Sequence, residues 1–374
     1  IKVIADSEID PEFGTGVAKV TPAHDFVDFE IGQRHNLEIK QVIGFDGKLN
    51  SVAGIYKGLG VGAARKIVAS DLAKKGLLVK IDKNYRHTIG VCYRCKTTIE
   101  PLPTVQWFIK IDPLRNLALS TISKGETKFS AKKFEKIAKN WLENLVDWNI
   151  SRQIVWGIRI PVWYSIEDNP QLEVVFLDKD GKRHNRKISK LVPNYKVSEI
   201  EAGLQSLKAP ENAKFVISTK KPKKGGYLQE TDTFDTWFSS GQWPFATLRA
   251  SHPGDFAYFY PTSVMNTGYD ILPFWVIRMI MLGVYATGVT PFRDVLIHGL
   301  VRDKDGLKIS KSKGNVINPL EMAQKYGADA LRVGLVWGAL VENDISLSED
   351  NIRGQRNFSN KIWNVARFVL QNNK

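Results

Sequence analysis

The sequence predicts an α/β protein of more than one domain, and three observations carry that prediction. Helical and strand patterns alternate through residues 230–350, as in sheets that hold ligands at their strand ends. Residues 1–105 run instead as short β-rich stretches punctuated by glycine. A length of 374 residues exceeds one ordinary domain and suggests two or three.

In chain order, Ile1–Ile4, Gly16–Val20 and Gln41–Phe45 read as strands, and Asp46-Gly47 as a hairpin turn. One helix, about 62–75, places Ala63, Ile67, Val68 and Leu72 on one face. A small β-barrel-like module fits residues 1–105 best. Residues 106–165 are helical and aromatic, then turn into a strand around Ile154–Trp163. From 166 to 226 the composition shifts to lysine, asparagine and short strands, which reads as an inserted surface module. Its Lys220-Lys221-Pro222-Lys223-Lys224 run reads as a solvated face. Residues 227–350 return to dense core signals: a helix over Asp270–Tyr285, a strand over Asp294–Gly299, a glycine- and lysine-rich loop, then helices near Pro319–Tyr326 and Asp329–Trp337. In 351–374 a final helix lines up Phe358, Ile362, Trp363, Val365 and Val369.

The longest apolar run, Ile271–Thr287, contains Arg278 and falls short of the roughly 20 uninterrupted residues of a membrane span, so it reads as a buried helix and no membrane partner is expected. The composition, 43% hydrophobic and 25% charged, excludes disordered and fibrous classes. Two cysteines exclude a disulfide scaffold and fit a reducing cytoplasm. Lysine and arginine outnumber acidic residues 53 to 39, and the net charge of +14 favours a polyanionic partner such as nucleic acid. The chain opens at Ile1 inside a predicted strand and closes in a helix with nothing left to pack on, so a piece of something longer is expected.

The strongest chemical signal is Gly306-Leu307-Lys308-Ile309-Ser310-Lys311-Ser312-Lys313-Gly314-Asn315. Lysines and serines between glycines make a loop rich in phosphate-binding groups. Lys311 can set a point charge on a triphosphate, and backbone N–H groups beside Gly314 can bind oxyanions. Near the N-terminus, Thr21-Pro22 followed by Asp25 and Asp28 reads as a helix start with acidic residues at its positive end. Cys92-Tyr93-Arg94-Cys95 is a lone Cys-x-x-Cys. Four-coordinate zinc needs two further ligands, so zinc is not expected and no metal site is assigned.

The lysine-serine loop resembles the KMSKS loop of class I aminoacyl-tRNA synthetases, with Ile309 in the methionine position. The resemblance covers nearly the whole chain and points to the valyl-tRNA synthetase family. Its carriers include His298-Gly299-Leu300-Val301-Arg302-Asp303, Asn315-Val316-Ile317-Asn318-Pro319, and Trp156-Gly157-Ile158-Arg159-Ile160-Pro161-Val162-Trp163-Tyr164. Asp235-Thr236-Trp237-Phe238-Ser239-Ser240 and Asn266-Thr267-Gly268-Tyr269-Asp270-Ile271-Leu272 complete the set. Isoleucyl- and leucyl-tRNA synthetases share the architecture, but Thr236–Ser240 looks more valyl than isoleucyl.

The resemblance implies the second half of a Rossmann-type catalytic domain, interrupted by an editing domain and followed by the start of a helical anticodon-binding bundle. It implies ATP-dependent activation of valine, transfer to tRNA(Val), and hydrolytic editing of threonyl-tRNA(Val), by a monomer with Mg²⁺ accompanying ATP. Lys308, Ser310, Lys311 and Ser312 would be catalytic. Lys311, Gly268, Asp270, His298 and Gly299 would bind ATP, and Asp235 and Trp237 would line the amino-acid pocket. Lys19, Thr21, Asp25 and Asp28 would form the editing site, Asp28 holding the substrate ammonium. The need for editing is physical. A hydrophobic pocket rejects an isostere with an added hydroxyl by only about 10²-fold, a figure known from valyl-tRNA synthetases themselves. His24 reads as structural rather than as a base. His87-Thr88-Ile89-Gly90 is not the other class I signature, HIGH, because it lies within the first module. The half carrying that signature is not in these residues, so the chain alone is not expected to charge tRNA. The rivals are an isoleucyl-tRNA synthetase piece or a stand-alone tRNA-binding or trans-editing module.

Overall fold

The computed structural model describes residues 2–92, 94–309, 314–339 and 343–373. These fold as a mixed α/β chain in two compact units, residues 1–105 and 106–374.

Among the described residues of the first unit, the α-helices Phe26–Arg34 and Val61–Lys74 and a 3-10 helix, Ser51–Tyr56, stand among turns and extended stretches. The turn at Asp46-Gly47 forms as read: Gly47 N–H donates to Gly44 O at 3.0 Å, Gly47 takes φ +73°, and Ile43 bridges Leu49. The barrel-like reading is not met. Among the described residues of this unit, Ile43–Leu49, Lys48–Gly60 and Val91–Thr98 are isolated bridges, and none of the three expected strands forms a ladder. Val3 is 94% and Val17 83% exposed, so these β-prone runs have no neighbour on which to bury a face. Side-chain alternation signals a strand only where another strand takes up its backbone hydrogen bonds. The second helix also turns a different face inward. Ala64 is buried and Val68 half-buried, whereas Ala63, Ile67 and Leu72 are exposed.

The second unit is built on a three-stranded parallel sheet. Phe292–His298 is its central strand, flanked by Thr262–Gly268 on one side and Lys128–Phe129 on the other. Its first neighbour pairs from Thr262↔Phe292 to Gly268↔His298, so both strands end together. Parallel strands covered by helices are apolar, and here Phe292, Val295 and Ile297 are at most 1% exposed. The helix Ile277–Thr287 packs against them with every residue from Ile277 to Val284 buried. The apolar stretch Tyr269–Thr287 thus belongs to a core shared with Leu114, Ala118 and Ile122 of the Asp112–Ser123 helix and Phe134, Ala138 and Leu142 of the Lys132–Glu143 helix.

The strand expected over 154–163 is confined to Val162–Ser165. Gly157 departs from strand geometry with φ +156°, and a Cβ there would lie 2.9 Å from Thr233 Cβ. The inserted residues make an antiparallel sheet ordered Arg183–Lys187, Glu173–Leu177, Leu204–Lys208, with its own core of Leu172, Val174, Phe176, Ile188, Leu191, Ile200 and Leu207. Beside this module the buried carboxylate of Glu230 joins the segments that flank it, accepting the Trp107 indole N–H at 3.1 Å and the Tyr164 hydroxyl at 2.9 Å. The helices Pro319–Tyr326, Ala328–Val336 and Glu349–Asn372 close the chain around Met322, Leu331, Leu347 and Ile352. Ser348 caps the last helix by accepting from Asn351 N–H at 3.2 Å.

Candidate active site

Chemistry in a parallel sheet gathers where strands end, because orphan backbone groups and loops converge there. Gly268 and His298 are the last paired residues of their strands. The space around this strand end is tight: a Cβ on Gly268 would lie 2.9 Å from Leu300 Cδ2 and 3.0 Å from Asp270 Oδ1. Gly299 is tighter, since a Cβ there would stand 1.9 Å from the carbonyl oxygen of Asn343. Both glycines, singled out from the sequence, are required by close approach. Across this strand end Lys308 Nζ meets Asp270 Oδ2 at 3.1 Å, both groups partly open to solvent. The strand end therefore carries an ammonium and a carboxylate beside His298, which is exposed and whose Nδ1 lies 2.7 Å from Gly299 O.

Two braces hold this arrangement, and neither was foreseen. Asp344 accepts Leu300 N–H at 2.7 Å on one oxygen, and the Arg302 guanidinium and Tyr269 hydroxyl (3.1 Å) on the other. Arg302 also donates to Tyr269 at 3.0 Å, closing a three-membered network. Burial raises the Asp344 pKa, but the Leu300 N–H and the Arg302 guanidinium outweigh it and hold the carboxyl below its ordinary value. The second brace is the buried Asp303. It accepts Leu307 N–H at 2.8 Å, Asp305 N–H at 3.0 Å and Asn315 Nδ2 at 2.7 Å, and these donors, Asn315 first, depress its pKa. Asn315 donates as well to Lys308 O at 3.2 Å, so one amide pins both ends of the lysine-serine loop. Ser310, Lys311 and Ser312 themselves lie outside the described residues.

Asp235 is 5% exposed and fully engaged. Its Oδ2 accepts the Trp148 indole at 2.9 Å and sits 3.3 Å from Arg278 Nη1 and 3.2 Å from Arg152 Nη2, while Oδ1 caps the Thr236–Gly241 helix at Trp237 N–H. The Arg278 guanidinium lies 3.6 Å from the Trp148 ring centre, and desolvation lowers its pKa to about 10. A substrate group could reach this carboxylate only by displacing one of these donors. Trp237, in contrast, is half-buried and stacks on Phe274 with ring centres 5.9 Å apart. Trp275, on the next position, donates to Ser240 O at 3.2 Å.

In the first unit Thr21, Asp25 and Asp28 do come together. Asp28 Oδ2 accepts Thr21 N–H at 2.6 Å and the Thr21 hydroxyl at 2.9 Å, and Asp25 caps the helix by accepting Asp28 N–H at 3.0 Å. Lys19 is exposed and joins none of these contacts. His24 is a backbone staple. Its Nε2 accepts Val42 N–H at 3.1 Å, which leaves the proton on Nδ1 to donate to Pro101 O at 3.2 Å. Lys96 N–H, next to Cys95, donates to Cys92 O at 2.8 Å. Hydrogen bonds with Thr97 come first among the causes that draw the Cys95 thiol down to about 7.

A family profile for tRNA synthetases class I (I, L, M and V) matches residues 25–348. The chain belongs to that family. Its relatives include the valine–tRNA ligase of Geobacter sulfurreducens, 44% identical over 373 residues, and that of Streptomyces avermitilis, 44% identical over 374 residues. Each match covers 100% of this chain and 38% of the relative, so the chain spans well under half the length of these class I synthetases. Among solved class I synthetases, a Mycobacterium tuberculosis methionyl-tRNA synthetase in complex with methionyl-adenylate superposes with a TM-score of 0.44 at 15% identity, over 72% of this chain and 40% of that one.

Proposed function

We propose that this chain supplies the nucleotide-handling half and an editing module of a valine–tRNA ligase. The parallel sheet is then the second half of a Rossmann-type fold, residues 1–105 belong to the editing domain, and the Glu349–Asn372 helix begins an anticodon-binding bundle. The observation that carries the reading is the strand end where Gly268, Asp270, His298 and Gly299 meet Lys308. A carboxylate there suits ribose hydroxyls, and flanking glycines let a nucleotide approach the backbone. When ATP occupies the site, Asp270 exchanges Lys308 for the ribose, and Lys308 is released toward the phosphates. Attack of the valine carboxylate on the α-phosphorus forms the valyl-adenylate and breaks the bond to the β-phosphate, releasing pyrophosphate. The charge that builds on the phosphate oxygens is stabilised by Lys308 and Lys311. Among the described residues no three Asp, Glu, His or Cys side chains converge as a cation cage. Mg²⁺ would enter with the triphosphate, held chiefly by its oxygens, and would neutralise charge on them. Trp237 forms an aromatic wall of the amino-acid pocket, and Asp235 acts by fixing the helix that carries it.

Editing is assigned to the Asp28 cluster. Thr21 holds Asp28 Oδ2 through two hydrogen bonds, and the carboxylate binds the ammonium of misattached threonine. The test is made on the protein at its natural length. It should catalyse valine-dependent pyrophosphate exchange, reduced about 10²-fold or more by Lys308→Ala, and deacylate threonyl-tRNA(Val) but not valyl-tRNA(Val), an activity lost in Asp28→Ala. Exchange with isoleucine in preference to valine would overturn the assignment in favour of an isoleucyl enzyme. Deacylation without any exchange would favour a stand-alone editing module.

A further inference from the structure

The sheet of the inserted module buries one face and leaves the other open. Val174, Phe176 and Leu207 go into the core, all at most 4% exposed. Alternation sends their neighbours to the opposite face. There Arg183 pairs with Leu177, Asn185 with Val175, and Lys187 with Glu173, while Ser206 and Lys208 flank Val175 and Glu173 from the third strand. Glu173, the acidic residue on this face, is thus bracketed by Lys187 and Lys208.

The charge here is uncompensated along the chain itself. Between Gly181 and Ser198 stand six lysines and arginines (Lys182, Arg183, Arg186, Lys187, Lys190, Lys196) and no acidic residue. Half of the module's acidic residues are taken elsewhere. Asp178 binds His184 at 2.7 Å, Glu199 binds Lys179 at 3.2 Å, Asp168 binds Lys214 at 3.4 Å, and Glu201 holds Lys221. The Arg183–Lys187 strand is also a sheet edge, with unpaired backbone groups along its outer side. Arg183 and Lys187 stand about 13 Å apart on it, so the cations form a line rather than a pocket. A line of charge matches a run of phosphates.

We propose that this open face and its Arg183–Lys187 edge bind the phosphate backbone of tRNA during charging. The inference rests on the ligase reading above. It differs from the Lys220–Lys224 run singled out by composition, where Lys221 is already held by Glu201.

The experiment uses the natural-length protein with Arg183→Gln, Lys187→Gln and Lys190→Gln combined, against a control with Lys220→Gln, Lys223→Gln and Lys224→Gln. Both remove three charges from exposed positions of the same module. The first variant should raise the KM for tRNA(Val) about 10-fold and make the dependence of log affinity on log salt shallower by about 2 to 3. Valine-dependent pyrophosphate exchange should stay at the parent level. Equal effects in both variants would show general attraction only and overturn the site, as would an unchanged KM and salt slope. Binding of phosphatidylserine vesicles that the first variant loses, with tRNA affinity intact, would overturn it in favour of a lipid surface. If the parent catalyses no valine exchange, the ligase reading fails. Filter binding of tRNA(Val) to the two variants would still judge the surface separately.

Discussion

Removing the Asp235 carboxylate should do damage that is structural first and catalytic second. Asp235→Ala leaves the Arg278 guanidinium, 8% exposed, without its anion at 3.3 Å, and among the described residues its Nε already has no hydrogen-bond partner. Stranding a buried charge costs about 3–5 kcal/mol. The orphaned Trp148 indole adds about 1–3 kcal/mol and the lost helix cap about 1 kcal/mol. The three share one carboxylate and do not add, so about 4 kcal/mol is expected for the whole. Arg278→Met combined with Asp235→Ala removes both charges, leaves an apolar side chain over Trp148, and should recover at least half of that loss. The assay is native-state hydrogen exchange of the peptides covering 148–152 and 236–241, because global unfolding of a multidomain chain yields no single free energy. Protection in Asp235→Ala within about 1 kcal/mol of the parent would refute the reasoning. So would a double variant no better than the single one, since the cost would then not lie in the stranded guanidinium.

Gly299→Ala places a Cβ against the backbone of Asn343 and must displace the segment that pairs Val301 with Ile345. Pyrophosphate exchange should fall at least 10-fold, whereas Gly268→Ala, facing side chains that can shift, should fall less; equal and small losses would sink the close-approach argument. Asp303 yields a pH prediction. Its folded pKa is depressed, chiefly by Asn315, so its contribution is full above the unfolded value of about 3.9 and is lost as pH falls through the lower folded value. Pepsin cleavage within 303–315, measured from pH 4 to pH 2 relative to Asp303→Asn, should rise in the parent until the two coincide. A constant ratio would remove Asp303 as the cause.

Where local pattern decides structure, the sequence was readable. The helix Pro319–Tyr326 follows Asn318, a cap, and Pro319 at its first turn, and both signals are written in adjacent residues. The central strand was legible through its apolar run Val295-Leu296-Ile297, yet its neighbour Thr262–Gly268, less apolar and ending in Asn-Thr-Gly, gave no such signal. The overread strands of residues 1–105 have the right side chains and no partners. The site divides the same way. Glycines and the lysine-serine loop announce themselves by composition. The braces do not, because Tyr269 finds Asp344 across 75 positions and Arg302 finds it across 42. Arg278 was visible only as an interruption of an apolar run; its role appears once Asp235 and Trp148 are placed beside it.

The double grip of Asn315 has a consequence for how tightly the proposed nucleotide could be held. By tying Asp303 to the far end of the loop, and Lys308 O to the same amide, it brings together the two ends of the six-residue span 309–314 before any ligand arrives. Joining the ends of a free chain of that length costs ~1.6 kcal/mol in entropy. Here the fold bears that cost at the flanking residues, so under the proposed function a phosphate at Lys308 would meet loop ends already joined, an advantage of roughly tenfold over the same residues on an open tether.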